Sequence, residues 1–518
     1  MNIYKLTLTI YSFVLLLMPW MKGGNAQGIF PYIFISIITI CTLVHIYKGL
    51  ISKNLKKVTF FIVLFIGSYT ATSLVNPILK ETDTENFKRN IQLAPLSNSE
   101  EKRALEEVLY DINESRDSGF ASYLTLNVKN DIGYKFSLLS ENTKKIIDRL
   151  LLSKSVSYIP YLPTTYGLNK EVIYNFSILL ITIFSAVFII TRIDSNRTYK
   201  RLSLFVVINC FLLSLVGLMQ QLGVLPGIKD KPLLGIWSVP DPRYFFSTFS
   251  YKNHWVAFSL LSIFHGIAVV FSKFQSRRSN RNWKTILPFC IIITFSSLTL
   301  FLIESRLAIL STVISLILLL PILLKIFGIK RVLPFLLFIP FVVLFTVDNQ
   351  NDLLKRSAHQ YQDFKDGNLP FRFLLWKDSY SQIQQKTFWG YGIDSYRVLN
   401  PIFQSSETVD ARYVVTENAH RQFTPIIQNA HNDVFQFIIE HGFISCCLIL
   451  FPICFITIRE YLFSRNYYYR VIAAGCIVYL LNSFVDLPNK SLANMLMFSV
   501  TFCILLGYRH LSLEKIKH

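Results

Sequence analysis

Long runs of nearly uncharged, apolar residues are the feature that most limits how this chain can fold. Twelve such runs have the length of about 20 residues that an α-helix needs to cross the hydrocarbon core of a bilayer. With 52% hydrophobic residues, the chain is more apolar than soluble domains usually are. The sequence therefore predicts an all-α integral membrane protein with about twelve transmembrane helices. Their approximate bounds are 5–21, 29–47, 58–76, 172–191, 202–222, 253–272, 285–303, 308–324, 332–347, 433–457, 471–486 and 491–508.

Positive charges gather at alternate ends of these runs, and short loops rich in Lys and Arg stay in the cytoplasm. All six clusters agree with one topology, in which both termini are cytoplasmic. The formal net charge of +20 is therefore first a topology signal. We expect no nucleic-acid partner, because the charge lines a membrane rim and is not focused in one domain. The clusters lie near residues 48–57, 192–201, 273–284, 325–331, 459–470 and 509–517.

Two segments between the runs are too long and too polar to be simple connections, and the topology places both outside the cytoplasm. The first segment, residues 77–170, has helical patterns. It is either a functional domain, such as a lid or a docking domain, or a solvated spacer. All eight cysteines fall inside predicted spans, so we expect neither disulfides nor a Cys-based zinc site. The predicted order is helices 1–3 (1–76), a helical insertion (77–170), helices 4–9 (171–347), an outer loop with the functional motif (348–432) and helices 10–12 (433–518).

Three predicted spans that run inward begin with basic groups. They start at Lys252-Asn253-His254, Ser305-Arg306 and His431-Asn432-Asp433. A helix N-terminus carries partial positive charge, so a cation there is locally unfavourable by roughly 0.3 kcal/mol or more. Three such placements on one membrane face make sense if an anion binds among them, and helix N-termini are ready phosphate sites. We therefore predict an anionic ligand, a lipid phosphate or pyrophosphate, at the outer surface.

Each of these residues also has a purely structural interpretation. Arg306 can pair with Glu304 or reach lipid headgroups with its long side chain. Lys252 and His254 can be interfacial anchors. His431 can cap its own helix through a side-chain hydrogen bond. The sequence alone does not decide between these alternatives and the functional ones.

Glu440 lies about two turns into the predicted span, where a carboxylate costs roughly 2.5 kcal/mol or more. With Asn432 and Gln436 it forms a stripe with i, i+4, i+8 spacing, which should face the bundle interior or a watery cavity. The stripe either orients a neighbouring basic residue or is a buried structural contact.

Together these motifs resemble the O-antigen ligase and polymerase family of membrane glycosyltransferases. The segment from Arg306 to Leu310 is similar to the ligases' Arg-x3-Leu pattern, and that from His431 to Gly442 to their His-x10-Gly pattern. The resemblance covers roughly residues 245–445. The insertion 77–170 is longer than in a typical ligase, which leaves the acceptor open. Further motifs that resemble the family are Lys252-Asn253-His254, Arg372 with Trp376, and Gly390-Tyr391-Gly392.

The resemblance implies a metal-independent, GT-C-like enzyme of the bacterial inner membrane that needs no cofactor. It would move a glycan from an undecaprenyl-pyrophosphate donor to an acceptor hydroxyl on the periplasmic side. The acceptor is lipid A–core in the ligases, another lipid-linked repeat unit in the polymerases and a protein side chain in a third branch. The alternative from another class is a non-catalytic lipid or anion transporter, which Glu440 and an anion site would also suit.

The chemistry of this reaction assigns roles to the predicted site. A pyrophosphate leaving group needs cations that stabilise its developing charge. We expect Arg306 in this role, with Arg243 and Lys252 in support. The acceptor hydroxyl needs a base, and histidine titrates near neutral pH, so His431 is the expected general base. The other residues expected to bind substrate are His254, Arg372, Tyr391, Asn432 and Glu440.

Overall fold

A computed structural model gives the fold of the 518-residue chain. It describes residues 3–24, 36–37, 40, 196–225, 245–275, 283–303, 305–330, 371–385 and 429–517, with short stretches between 387 and 427. The features that lie outside the described residues are the predicted spans 58–76, 172–191 and 332–347, most of the span 29–47, the insertion 77–170, much of the outer loop 348–432, Arg243, and Glu304 with its predicted pairing to Arg306.

Nearly all of the described chain is helical. Short 3₁₀ turns cover Met18–Trp20, Lys22–Gly24 and Pro488–Lys490. Two strands of two residues each, β1 (Val414–Val415) and β2 (Arg421–Gln422), pair antiparallel. The predicted all-helical class is confirmed for the described residues, apart from this short strand pair. The helices are α1 (Ile3–Leu17), α2 (Asn196–Gln221), α3 (Lys252–Gln275), α4 (Trp283–Leu302), α5 (Arg306–Phe327), α6 (Phe371–Gln385), α7 (Asp433–Phe463), α8 (Tyr467–Ser483) and α9 (Leu492–Lys517).

Several of these helices are suited to a membrane. Four described helices are long and apolar enough to cross one: Arg197–Gln221, Lys252–Phe274, Arg306–Phe327 and Asp433–Phe463. Eight of the predicted spans coincide with helices of the described chain. The arrangement of twelve spans and the GT-C-like class stay predictions. Shorter apolar helical stretches cover Leu8–Trp20, Ile286–Leu302 and Leu492–Gly507.

The chain divides into two compact units. The boundary inside α7 lies at Pro452, so the His431 motif belongs to the second unit, whereas Lys252 and Arg306 belong to the first. This division does not test the domain order predicted from the sequence, which stays a prediction. The first unit consists of Met1–Ser52, Ser177–His359 and Pro452–His518, and the second of Lys53–Phe176 and Gln360–Phe451.

Helix α3 is the central helix of the first unit. Its sequence is apolar on all sides, as expected for a helix surrounded by others, and 94% of its most apolar stretch is buried. It packs against α2, α4, α5, α8 and α9. Gly475 lets α8 approach closely, because a Cβ at this position would lie 2.8 Å from the Cβ of Phe264. Small residues at crossing points are a common means of close packing between membrane helices.

A chain of hydrogen bonds ties four helices of this unit together in its interior. On α3, His265 contacts Ser203 Oγ through Nδ1 at 2.7 Å and Thr501 Oγ1 through Nε2 at 3.0 Å. The hydroxyl of Tyr468 lies 2.6 Å from Ser203 Oγ. Because Thr501 already donates its hydroxyl proton to Met497 O, the Nε2 of His265 must donate to Thr501, and in a neutral ring Nδ1 then accepts from Ser203. His265 thus joins α2, α3, α8 and α9.

We expect His265 and Thr501 to be coupled in a double-mutant cycle. Each substitution, His265→Leu or Thr501→Val, removes one partner of a buried bond, and such bonds between membrane helices contribute about 0.6–1.7 kcal/mol. The coupling should appear in the free energy of unfolding in detergent micelles. The control pair is His265→Leu with Ser272→Ala, which should be additive because Ser272 Oγ donates to Val269 O of its own helix. Additivity of the first pair would contradict the network.

Candidate functional site

The segment before α7 holds His431 in an uncommon backbone conformation. Its φ is +49°, in the left-handed region that costs a residue with a side chain roughly 1–2 kcal/mol. Such conformations persist only where the surroundings enforce them, and they cluster at functional sites. The side chain of His431 is half-buried.

Asn432 caps the start of α7. Its side-chain oxygen accepts hydrogen bonds from the backbone N–H groups of Val434 and Phe435, both at 3.0 Å. A side-chain acceptor at this position satisfies helix N–H groups that have no partner within the helix. Capping, which was one structural interpretation of His431, is thus carried out by its neighbour Asn432.

The stripe of Asn432, Gln436 and Glu440 is a buried polar ladder. The three residues are 4%, 4% and 8% exposed. The amide nitrogen of Gln436 donates to Glu440 at 2.9 Å, and its amide oxygen accepts the N–H of Ala430 at 3.2 Å. The hydrogen bonds of the ladder therefore fix the backbone on both sides of His431, at Ala430 before it and at the capped helix start after it.

We expect Gln436→Leu to reduce both stability and activity. It leaves the buried N–H of Ala430 and the carboxylate of Glu440 without this partner, which costs about 1–3 kcal/mol. It also releases the segment that holds His431, so the rate of any reaction that uses this histidine should fall roughly tenfold or more. Thermal unfolding and initial rates check these effects. Gln384→Leu on the exposed face of α6 is the control and should change stability by less than about 0.5 kcal/mol; equal effects at both positions would contradict the ladder's role.

Helix α7 is broken at Gly442, the last residue of the His-x10-Gly pattern. Its φ and ψ are 80° and 164°, a combination that essentially only glycine adopts. The break releases the carbonyl oxygen of Ile439 from the helical ladder. That oxygen instead accepts the N–H of Tyr391 at 2.7 Å.

The other side of the break is paired in the same way. The N–H of Phe443 donates to Thr387 O at 2.8 Å, and the N–H of Ile444 donates to Phe388 O at 3.3 Å. Backbone groups that the break removes from the helix are thus satisfied by the turn that follows α6. We call this contact between residues 387–391 and the break at Gly442 the glycine junction.

Gly390 is the point of closest approach in the glycine junction. A Cβ at this position would lie 2.6 Å from Gly442 N and Ile439 O and 2.8 Å from Glu440 C. Backbone atoms cannot move aside as a flexible side chain can, so only glycine fits. Two motifs that are separate in the sequence, Gly390-Tyr391 and His431 to Gly442, therefore meet as one backbone contact.

Two further predicted site residues lie in this second unit. Tyr391 is fully buried, and its hydroxyl lies 3.4 Å from Gln382 O, so its side chain is part of the protein interior. Arg372 is half-buried in the first turn of α6. The same helix carries Trp376, whose ring centroid lies 6.5 Å from that of Phe435, one turn after His431.

Asp378 is a buried acid of α6 that sequence analysis missed. It accepts a hydrogen bond from Thr408 Oγ1 at 2.6 Å. Burial raises the pKa of the Asp378 carboxyl above its ordinary value, although hydrogen bonds from Thr408 and Ser405 act in the opposite direction. The sequence signal that could have found it is the i, i+4 spacing of Asp378 and Gln382, which places both on one face of a helix. The structure shows that both residues are buried.

In the first unit, the starts of α3 and α5 share one polar network. Ser305 precedes α5 but does not cap it with its side chain. Its hydroxyl donates to Asn253 Oδ1 at 2.7 Å, and the amide of Asn253 donates to the carboxylate of Asp486. The hydroxyl of Tyr251 donates to the same carboxylate at 3.2 Å. The helix starts that carry Lys252 and Arg306 are thereby brought together.

His254 is an internal member of this network. It is 8% exposed, its Nε2 donates to Leu487 O at 3.0 Å, and its own carbonyl accepts a hydrogen bond from Asn494 Nδ2 at 3.0 Å. Lys252 is half-buried and Arg306 is exposed. The two cations therefore stand at the edge of a buried polar cluster.

Asp486 is the residue of this cluster that sequence analysis did not single out. It is 1% exposed and lies in the turn between α8 and α9. Its position at the very end of a predicted span was a usable signal, because a buried carboxylate near a membrane needs partners. His431 belongs to the second unit, so a joint site formed with Arg306 stays a prediction.

Comparison with known proteins shows that part of this chain is similar to a known family. Residues 290–450 match the family model described as O-antigen ligase. The matched segment contains Arg306, the glycine junction and the motif from His431 to Gly442. Comparison with curated proteins found no match. The O-antigen ligase domain at residues 290–450 supports the O-antigen ligase and polymerase family for this chain.

Proposed function

We propose that the chain is an O-antigen ligase-like glycosyltransferase of the bacterial inner membrane. It moves a glycan from undecaprenyl pyrophosphate to an acceptor hydroxyl at the periplasmic face, without a metal ion. The observation that carries this proposal is the match of residues 290–450 to the O-antigen ligases. The strained backbone of His431, gripped by a buried polar ladder, supports a catalytic role for this residue.

In the proposed reaction, the acceptor hydroxyl oxygen attacks the anomeric carbon of the donor sugar and forms the new glycosidic bond. The bond from that carbon to the pyrophosphate oxygen breaks, and its electron pair leaves with the pyrophosphate. His431 takes the proton of the acceptor hydroxyl as general base. Direct attack of this kind inverts the anomeric centre.

Arg306 is proposed to bind the pyrophosphate. It is exposed at the first position of α5, a helix start that the side chain of Ser305 does not cap. Free N–H groups at a helix start attract phosphate oxygens, and the guanidinium stabilises the charge that develops on the leaving group. Lys252 lies at the neighbouring helix start and adds a second positive charge. Arg243 is proposed as a further cation.

The remaining predicted residues have supporting parts in this proposal. Asn432 and Glu440 hold the segment around His431 in place, and in this way they position His431 for the substrate. His254 holds the starts of the helices that carry the cations. Arg372 on α6 is proposed to contact the glycan, and Tyr391 helps to fix the glycine junction through its N–H bond to Ile439 O.

Arg306→Ala is expected to lower the transfer rate by about 10²–10³-fold, because it removes a cation aimed at developing charge. Arg306→Lys should retain part of the rate, since it keeps the charge but loses the planar fork of the guanidinium. The measurement is transfer by the purified protein in detergent, with lipid-linked glycan as donor. The matched control is Arg459→Ala, an exposed arginine near the end of α7, which should leave the rate unchanged. Wild-type transfer by Arg306→Ala would remove this residue from the mechanism.

The family also contains polymerases, so the deletion phenotype decides the acceptor. A ligase deletion leaves lipid-linked polymer that is not transferred to its acceptor. A polymerase deletion leaves only single repeat units attached, and a protein glycosyltransferase deletion leaves surface polysaccharide intact while a protein loses its glycan. Purified wild-type protein that transfers no glycan to any of these acceptors would favour a lipid or anion transporter.

A further inference from the structure

The exposure of side chains along α7 changes abruptly at Gly442. No residue of 433–442 is exposed, whereas about half of the residues of 443–463 are. The exposed residues after the break follow one another at helical spacing and form an apolar stripe. The large members of this stripe are Phe443, Leu448, Ile449, Phe451, Phe455, Ile458, Leu462 and Phe463.

The length of α7 also exceeds a single membrane crossing. Its 31 residues extend about 46 Å at 1.5 Å per residue, whereas the hydrocarbon core of a bilayer is about 30 Å thick. The part 443–463 alone is about 31 Å long. Near its far end Arg459 is exposed, at a position from which a long basic side chain reaches lipid headgroups.

The part of α7 before the break is built for a different environment. Its polar ladder, from Asn432 to Glu440, is covered by protein, as a carboxylate would be costly against lipid. A helix break is tolerated at membrane depth only where neighbouring protein satisfies the freed backbone groups. The glycine junction supplies those partners through Thr387 and Phe388.

The glycine junction also carries an aromatic edge. Phe388 is 65% exposed and Phe443 is 48% exposed, and they come together because Phe388 O accepts the N–H of Ile444. Exposed Phe side chains of a surface segment can bury their apolar rings at the boundary between headgroups and acyl chains. They stand at the point where the apolar stripe begins.

We propose that Gly442 marks the depth at which α7 enters the lipid, and that the glycine junction rests on the outer surface of the bilayer. The partner is the lipid bilayer, which contacts Phe388, Phe443 and the apolar stripe of 443–463. Residues 433–441 stand outside the hydrocarbon, so the lipid-spanning part begins about ten residues later than the apolar run in the sequence. The start of α7 at Asp433, just after His431, lies about 14 Å of helix above Gly442. His431 therefore meets the water-soluble end of any lipid-linked substrate.

Labelling from the lipid side tests this proposal on the wild-type, full-length chain. The protein is reconstituted into phosphatidylcholine–phosphatidylglycerol vesicles that contain a phospholipid with a diazirine in its acyl chain. After irradiation, mass spectrometry locates the adducts. We expect adducts at exposed positions of 443–463 in at least tenfold higher yield than on 433–441. Equal yields on the two parts, or adducts that begin only beyond Pro452, would overturn the proposal.

Labelling from the water side provides a matched comparison. Phe373 on α6 and Phe455 on α7 are both 54% exposed, so they differ in surroundings and not in exposed fraction. Hydroxyl radicals generated in the water should oxidise Phe373 at least tenfold faster than Phe455, and the lipid diazirine should show the reverse preference. Equal oxidation of the two rings would contradict the proposed boundary. Neither labelling depends on glycan transfer, so the boundary can fail while the proposed function stands, and the reverse.

Discussion

Replacing His431 with asparagine is expected to lower the rate of glycan transfer by about 10²–10⁴-fold, the range that a positioned general base contributes. The folded protein should be at least as stable as the wild type. Asparagine adopts the left-handed backbone more readily than most residues with a side chain, and the φ of this position is +49°. Initial rates with a lipid-linked donor and thermal unfolding in the same detergent measure the two effects separately.

The histidine ten residues further along, on α7, is the matched control. His441 is half-buried, and its ring lies 4.5 Å from that of Phe437, outside the ladder that grips His431. His441→Asn should change the transfer rate by no more than a few-fold. If His431→Asn transfers glycan at the wild-type rate, another residue is the base. If both variants are inactive and unfolded, the loss reports on folding and not on catalysis, and His431→Gly becomes the informative variant.

Gly390→Ala is expected to destabilise the protein by about 2–4 kcal/mol, in the range of severe packing defects. The added Cβ would lie 2.6 Å from backbone atoms of Gly442 and Ile439, so the glycine junction must open to admit it. The transfer rate should fall by more than the folded fraction does, because the same contact sets the course of α7 below His431. Thermal unfolding and the rate per folded molecule are the measurements.

Gly223→Ala separates the clash from the backbone conformation. Gly223 has a φ of +71°, close to the +68° of Gly390, but no atom would lie within 4 Å of an added Cβ. This control should lose roughly 1–2 kcal/mol from the left-handed backbone alone. The difference between the two variants is the steric cost at the junction. Equal losses would mean that the turn and the helix break are not in close contact.

For one part of the candidate site, the spacing of residues along the sequence was sufficient to predict which side chains share a face. The spacing of Asn432, Gln436 and Glu440 predicts a common face, and all three are buried in the structure. The same pattern could not distinguish a residue that caps the helix from one that does chemistry. His431 and Asn432 are neighbours in the sequence and both can cap, and only the bonds to Val434 and Phe435 assign the cap to Asn432.

By itself, the sequence determined the helical membrane class and the position of the His431 motif, because apolar length and helical spacing are properties of neighbouring residues. The tertiary structure alone decided the contacts between distant segments. Asp486 receives a hydrogen bond from Asn253, which is 233 residues away, and Gly390 meets Gly442 from a distant part of the sequence. Such contacts depend on how helices pack, and packing depends on side chains that no local pattern brings together.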